Sequence, residues 1–278
     1  MIYNKSGNEL NTVYNVGSQS VETAYDVSGN IVFGGLDYDL TVMTYNIQYF
    51  GGINSQTTMQ QHIIDTYDAD VIGLQELGTS GSMPSVGSAV LTEYPYKYIG
   101  VQTNKTALVS KTELSNIASA VFTNQASETR GYQKAYISFA GKNICWINTH
   151  LEYISDSVKY AQMGEIFTLA DDEDYVIITG DFNSECEAIT DNDYIGLYKQ
   201  FVDAGYNLAN CSVDAGFTKT WTNSATATST NDLTYATDSI ITSGNIDIVS
   251  VTFDPTKFSY LDGNPIDHIP VIARLKIN

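Results

Sequence analysis

The chain has 278 residues, of which 43% are hydrophobic, and it carries a formal net charge of −19 at pH 7. This length suits one large domain, and the apolar content is ample for a packed core, which excludes an intrinsically disordered chain. The acidic balance disfavours binding nucleic acid through a basic surface, so an anionic substrate would need a metal ion or a small group of donors. We find no stretch apolar enough to span a membrane and no signal-peptide pattern in MIYNKSGNEL. Insertion into a membrane is therefore not expected, while the compartment stays open between cytoplasmic, particle-associated and secreted.

Residues 1–36 differ from the rest of the chain. The segments YNKSGNEL, YNVGSQSV and YDVSGNIV recur with a spacing of 11, beginning at Tyr3, Tyr14 and Tyr25. Each joins a short strand signal to a Gly/Ser/Asn turn, which predicts small hairpin-like units. Such units are too small to bury a core, so we interpret residues 1–36 as an extended appendage to a main domain at 37–278. An adaptor that attaches this domain to a larger assembly is the alternative.

From Leu40 onward, predicted strands alternate with predicted helices. Amphipathic helices are expected at 57–69 and at 156–171, the second with Val158, Ala161, Met163, Ile166 and Phe167 facing inward. Apolar or β-branched runs predict strands within 40–47, 69–76, 106–111, 132–141, 143–151, 176–185, 238–253 and 268–277. This pattern predicts an α/β protein whose sheets are covered by helices.

Polar side chains interrupt these strands mainly at their ends. The positions are Asn46, Glu76, His150, Asp181, Asn183, Asp238 and the pair Asp267-His268. One asparagine at a strand end is more often a turn former, but a whole series that includes two of the three histidines is not explained by turns. We therefore expect these side chains to converge on one rim of the sheets, where active sites are commonly built.

The motifs TYNIQYFGG, VIGLQE, INTHLE, ITGDFNSE, ATDSIIT and PIDHIPV occur in this order over residues 40–278. Together they resemble the motif series of the endonuclease/exonuclease/phosphatase superfamily, which includes enzymes of the deoxyribonuclease I type. The resemblance implies a four-layer α/β sandwich, with two mixed sheets packed face to face and helices outside. It also implies that residues 37–278 form a catalytic domain.

The implied activity is hydrolysis of phosphodiester bonds by in-line attack of an activated water, with DNA endonuclease as the first choice. A phosphatase or phosphodiesterase acting on a small phosphorylated substrate is the second choice. A non-catalytic binding module, tethered to a larger assembly through residues 1–36, is an alternative of a different class.

The resemblance also assigns roles to residues of this chain. The implied metal ligands are Asn46, Glu76 and Asp267, around Mg²⁺ or Mn²⁺, ions that prefer oxygen donors. The implied catalytic residues are His150, Asp181, Asn183, Asp238 and His268. The implied phosphate-binding residues are Arg130, Asn104 and Lys105, with Lys159 and Gln162 as weaker candidates. Asp181 and Asn183 are expected to point to the same side of an extended segment, and either Asp181 or His268 can be the base. The segment 222–244 resembles a Thr/Ser-rich loop and the strand that follows it, and similar loops hold a structural Ca²⁺. For Arg130 and the lysines, a solvated surface position is the alternative.

Overall fold

The computed structural model describes residues 2–3, 9–10, 37–47, 66–77, 94–100, 106–212, 216–221, 233–254 and 267–278. The strands of the first repeat are β1 (Ile2–Tyr3) and β2 (Glu9–Leu10), which pair antiparallel with each other. The remaining repeats lie outside the described residues, and so do Asn104, Lys105, most of the helix expected at 57–69 and the loop 222–232. The division of the chain at residue 36 therefore stays a prediction.

Two mixed six-stranded sheets form the centre of the domain. Their strands are β3 (Leu40–Asn46), β4 (Val71–Gln75), β5 (Tyr96–Ile99), β6 (Thr106–Ser110), β7 (Ser115–Val121), β8 (Gly131–Phe139), β9 (Lys142–His150), β10 (Val176–Asp181), β11 (Asn207–Leu208), β14 (Asp238–Thr242), β15 (Ile246–Phe253) and β16 (Val271–Ile277). The first sheet has the order β11–β14–β10–β9–β8–β7, and the second has the order β15–β16–β3–β4–β6–β5. Two short strands, β12 (Cys211–Ser212) and β13 (Gly216–Phe217), pair separately. The neighbours β9 and β10 are parallel, as are β3 and β4, and the other pairs within the two sheets are antiparallel.

The two sheets pack face to face, which confirms the predicted sandwich. One apolar cluster joins residues of both sheets, among them Val42, Val71 and Leu108 from the second and Trp146, Ile177 and Ile240 from the first. A second cluster packs helix α1 (Asp156–Ala170) against the outer side of the first sheet. None of the helices in the described ranges is long and apolar enough to cross a lipid bilayer.

Helix α1 has the predicted bounds but buries a partly polar face. Met163 and Ile166 are buried as expected, whereas Val158, Ala161 and Phe167 are only half-buried. Lys159 and Gln162 are buried in their place, because acceptors and donors from other segments satisfy them: Lys159 contacts Asp193, and Gln162 contacts the backbone of Glu152 and Asn124. The apolar pattern alone was wrong for this face of the helix.

Some elements were not expected from the sequence. The edge strand β7 is largely exposed and lacks an apolar run. The segment after β10 contains a π-helix at Tyr194–Tyr198 and the short helix α2 (Lys199–Asp203). These two elements pack Leu197, Tyr198 and Phe201 into the cluster beside α1.

A buried polar network joins the two sheets beneath the rim that carries the motifs. The Gln75 amide donates to Asn148 Oδ1 at 2.8 Å, and the Asn148 amide donates to the carbonyls of Leu74 and Ala107, both at 3.1 Å. Thr179 Oγ1 also donates to Asn148 Oδ1, at 3.0 Å. Gln75 and Asn148 stand on different sheets, so this network fixes the sheets relative to each other.

Gly73 leaves the space that the network occupies. A Cβ at this position would overlap Thr179 Oγ1 and lie 2.5 Å from Asn148 Oδ1. We predict that Gly73→Ala lowers the free energy of unfolding by about 2–4 kcal/mol, because it combines overpacking with disrupted buried hydrogen bonds. Urea denaturation measures this change. The matched control is Gly164→Ala in α1, where a Cβ meets nothing within 4 Å and alanine should be neutral or slightly stabilising. Equal stabilities of the two variants would contradict the proposed constraint.

Candidate active site

The strand registers bring the predicted residues to one rim. In the first sheet, Asp181 at the end of β10 pairs with His150 on one side and with Asp238 on the other. In the second sheet, Asn46 at the end of β3 pairs with Gln75, and Glu76 follows directly. The parallel pairs β9/β10 and β3/β4 therefore end together, as expected for side chains at the carboxyl ends of strands.

Asp181 lies at the centre of this group and is almost fully buried. Its Oδ2 accepts a hydrogen bond from Asn46 Nδ2 at 2.9 Å. The same oxygen lies 3.4 Å from His150 Nε2 and 3.5 Å from His268 Nε2. One carboxylate oxygen thus faces an amide and two imidazoles, which come from the ends of β3 and β9 and from the segment before β16.

His268 is held from its other side by Asp238. The Nδ1 of His268 lies 2.8 Å from Asp238 Oδ2, which also accepts from Thr220 Oγ1 at 2.7 Å and Thr237 Oγ1 at 2.8 Å. An imidazole whose Nδ1–H donates to a carboxylate leaves Nε2 for the site. Asn46 Nδ2 lies 3.3 Å from that Nε2. The pair predicted from the sequence is therefore in hydrogen-bonding contact.

Two predicted residues adopt a left-handed backbone. Glu76 has φ 56° and directly follows β4, and Asn183 has φ 50° and lies two residues beyond the end of β10. Such angles cost about 1–2 kcal/mol for residues other than glycine and cluster at functional sites. Glu76 Oε1 accepts from Asn46 Nδ2 at 3.2 Å, which brings the glutamate to the mouth of the buried group.

The expected extended geometry of Asn183 was wrong. Because of the left-handed turn, the Asn183 backbone N–H donates to Asp181 Oδ1 at 2.9 Å, and its side-chain Nδ2 donates to the Leu151 carbonyl at 2.8 Å. The turn, rather than strand alternation, brings Asn183 beside Asp181. One N–H of its carboxamide is used by Leu151, which leaves the other for a ligand.

The acid–base state of the rim is set by several carboxylates that surround one imidazole. Burial raises the pKa of Asp181 to about 7; His268 opposes this shift and Asp238 adds to it. Burial alone would lower the pKa of His268, but Asp238, Asp181 and Asp267 outweigh it and raise that pKa to about 10. Because one imidazolium cannot neutralise all of these acids, one carboxylate holds its proton more tightly than usual.

A cation could be held by this group. One ligand atom from each of Asp181, Asp238 and His268 lies within 4.8 Å of the others. Glu76 and Asp267 add half-exposed carboxylates, and Asp267 Oδ1 lies 3.7 Å from His268 Nε2. Carboxylate and carboxamide oxygens are suitable donors for Mg²⁺ or Mn²⁺.

Arg130 lies at the same rim but is not a solvated surface residue. It precedes β8, whose Tyr132 pairs with Thr149 of β9, so it stands beside the end of β9. Its guanidinium is buried, lies 3.5 Å from Glu128 Oε2 and stacks over the Tyr153 ring at 5.7 Å. Contact with a phosphate would require Arg130 to share its charge with Glu128.

Sequence reasoning missed the residues that hold the site in place. Buried Glu152 accepts from Ser127 N at 3.0 Å, from Ser127 Oγ at 2.6 Å, and from the amides of Tyr153 and Ile154, both at 2.9 Å. Burial would raise the pKa of Glu152, but these hydrogen bonds outweigh it and lower that pKa to about 2. The sequence feature that could have identified Glu152 is its position two residues after His150. Thr220 and Thr237, which hold Asp238, carry no such signal because hydroxyl residues are common throughout the region.

The raised pKa of Asp181 predicts a pH dependence of stability. Folded Asp181 keeps a proton up to about pH 7, whereas the unfolded chain releases it near the ordinary value of 3.8. The contribution of protonated Asp181 to the free energy of unfolding is therefore complete below pH 3.8. It is lost as the pH rises through the pKa of the folded state. We expect the free energy of unfolding in EDTA to fall by on the order of 2 kcal/mol between about pH 4.5 and 6.5.

Chemical denaturation across this pH range tests the expectation. The carboxyl groups of Glu152 and Glu173 have lowered pKa values and titrate below the window. Asp181→Asn should flatten the profile within it. A slope that persists in Asp181→Asn would assign the effect to another group.

Comparisons with known proteins place this site in a family. Residues 43–252 match the model of the Endonuclease/Exonuclease/phosphatase family, and no curated protein matches the chain. Similar solved structures include the human Nocturnin catalytic domain with bound sulfate anion (17% identity, TM-score 0.66, covering 86% of this chain and 95% of that one). They also include the Bacteroides thetaiotaomicron mannosyl-6-phosphatase Bt3783 (16% identity, TM-score 0.65, covering 85% and 99%) and truncated Caenorhabditis elegans TDP2 (20% identity, TM-score 0.61, covering 86% and 97%).

These structures are too distant in sequence to show more than a shared fold, but the family match stands independently of them. It spans well over half of the chain and includes Asn46, His150 and Asp181, the last residues of β3, β9 and β10. The protein therefore belongs to the endonuclease/exonuclease/phosphatase family, whose members hydrolyse phosphate esters.

Proposed function

We propose that this protein is a divalent-metal-dependent phosphodiesterase that hydrolyses DNA by in-line attack of an activated water. The observation that carries the proposal is the environment of Asp181 Oδ2, which lies within 3.5 Å of Asn46 Nδ2, His150 Nε2 and His268 Nε2. A buried carboxylate beside two imidazoles can accept a proton from water while the neighbouring donors stabilise a phosphoryl oxygen.

The proposed metal ligands are Glu76, Asn46 and Asp267. Their oxygens are hard donors, and Glu76 and Asp267 are only half-buried, at the mouth of the buried group. Asp238 and His268 fit a ligand role less well, because His268 Nδ1 is already engaged with Asp238 Oδ2 at 2.8 Å. When bound, a divalent ion would stabilise charge on the phosphate and lower the pKa of a water molecule.

The protein groups divide the remaining work. Asp238 fixes the tautomer and orientation of His268. Asp181 Oδ2 and His268 Nε2 are 3.5 Å apart and titrate as a coupled pair. The base is whichever of the two is unprotonated in the substrate complex. His150 and the remaining N–H of the Asn183 carboxamide are the donors for a non-bridging oxygen or for the leaving group.

The choice of substrate rests on charge and composition. With only 13 lysine and arginine residues, the chain is poorly suited to grip a polyphosphate head group, which favours a DNA-type phosphodiester. A small phosphorylated substrate is the second candidate, because the net charge of −19 repels a polyanion and the cations near the rim are already paired.

Attachment to a larger assembly through residues 1–36 is a separate proposal. A chain starting near Gly35 should lose attachment and keep activity.

Hydrolysis assays test the proposal directly. Plasmid DNA, bis-nitrophenyl phosphate and nitrophenyl phosphate are each incubated with Mg²⁺, with Mn²⁺ and with EDTA. We expect metal-dependent nicking and diester cleavage that fall by about 10³-fold or more in His268→Ala and in Asp181→Asn, because each variant removes a group acting at the reacting atoms. The control is Asp203→Asn, which changes an exposed acid on α2 and should retain wild-type rates.

The other outcomes discriminate between the candidates. Monoester cleavage without nicking would move the protein to the small-substrate alternative. Rates near wild type in both site variants would refute the assigned catalytic residues. Inactivity of the folded wild type on all three substrates would favour a binding module.

A further inference from the structure

Lys159 is a buried cation on the inward face of α1. Its side chain is 2% exposed, and its Nζ lies 3.1 Å from Asp193 Oδ2 and 3.1 Å from Asp156 Oδ1. The same Nζ donates to the backbone carbonyl of Asn183 at 2.9 Å. A buried ion pair is commonly no more stabilising than a well-packed apolar pair, so core packing alone does not explain a lysine here.

Asp193 holds the other end of the turn that Lys159 contacts. Its Oδ2 accepts from the Glu185 backbone N–H at 2.6 Å, and its Oδ1 accepts from Tyr160 Oη at 2.7 Å. Lys159 and Asp193 therefore bind the carbonyl of Asn183 and the amide of Glu185, two residues further on. Together they clamp the backbone from both sides.

The segment that carries Asp193 is itself packed against α1. Asp193 immediately precedes the π-helix at Tyr194–Tyr198. Within this π-helix, a Cβ on Gly196 would lie 2.6 Å from three ring atoms of Tyr160, so the backbone rests directly on the aromatic ring. Because Tyr160 also donates to Asp193, helix α1 fixes both the cation and the anion of the clamp.

The clamped turn has an unfavourable backbone conformation that the site uses. Asn183 is held at φ 50°, and in this conformation its N–H donates to Asp181 Oδ1 at 2.9 Å. A relaxed backbone at Asn183 would remove this hydrogen bond and turn its carboxamide away. The orientation of Asp181 thus depends on contacts made on the far side of the turn.

We propose that Lys159 and Asp193 are positioning residues that act through Asn183 on Asp181. This inference rests on the hydrolytic function proposed above. Lys159 was a weaker phosphate-binding candidate from the sequence, but its Nζ is engaged by two carboxylates and the Asn183 carbonyl. We therefore assign neither Lys159 nor Asp193 a contact with substrate, and their loss should lower kcat rather than raise KM. It should also loosen the turn locally, a change that can be measured without any substrate.

The test combines amide hydrogen exchange with kinetics on bis-nitrophenyl phosphate in the full chain. Lys159→Met removes the cation, and Asp193→Asn removes the anion while keeping an oxygen for Glu185 N–H, so at least one variant should fold. The matched control is Lys134→Met, because Lys134 Nζ also pairs with a carboxylate, Glu173 at 2.9 Å, and contacts a carbonyl, Leu169 O at 3.3 Å. Lys134 lies on β8, outside the proposed site.

We expect exchange of the Asn183 and Glu185 amides to accelerate by about tenfold or more in both site variants, with the amides of β9 and β10 unchanged. We also expect kcat to fall about 10- to 100-fold with KM within about threefold, while Lys134→Met retains wild-type values.

Unchanged exchange at Asn183 and Glu185, or equal acceleration throughout the sheet, would overturn the positioning role. Local acceleration with an unchanged kcat in an active enzyme would overturn it as well. The wild type could also fail to hydrolyse bis-nitrophenyl phosphate while the site variants still show the local acceleration of exchange. That result would refute the proposed hydrolytic function and support the clamp on the turn.

Discussion

The hydrogen bond between Gln75 and Asn148 links the two halves of the candidate active site. Each sheet alone carries only part of the group, with Asn46 and Glu76 on one sheet and Asp181 on the other. The apolar contacts between the sheets are non-directional and tolerate small sliding movements. The hydrogen bond that Gln75 donates to Asn148, and those that Asn148 donates to carbonyls of the second sheet, do not tolerate such movements. Their strength depends on geometry, and an unpaired buried amide is costly. Polar groups in the core thus fix the relative position of the two sheets, on which the distances between side chains at the rim depend.

The rim shows how a regular scaffold produces an irregular site. The strands end in step, which brings His150, Asp181 and Asp238 into one row. The left-handed residues Glu76 and Asn183 then turn the chain within two residues of the strand ends. The turn at Asn183 is held by the side chains of Lys159 and Asp193, so the surrounding fold offsets its conformational cost. The carboxylates crowd around one imidazole, and a divalent ion would relieve the repulsion between them. This group of side chains could hold such an ion.

Much of this arrangement could be predicted from the sequence, for physical reasons. Central strands such as β9 and β10 are buried on both faces, so they appear as continuous apolar runs. The polar residues that end them stand out against that background. The edge strand β7 is exposed and gives no such signal. Burial of Lys159 and Gln162 depends on partners far along the chain, and the local turn at Asn183 depends on the clamp around it. Contacts of this kind arise from tertiary packing, which no periodic pattern encodes.

The position of β16 has a consequence for the synthesis of the chain. This strand, Val271–Ile277, lies between β15 and β3 in the second sheet, although β3 is formed by Leu40–Asn46. During translation, β3 therefore lacks this partner until residues 271–277 have been made. His268 is separated from Asn46 by 222 positions, so the contact between them forms only when that pairing does. Until then the nascent chain exposes an unpaired edge of a core strand, the kind of surface that chaperones protect.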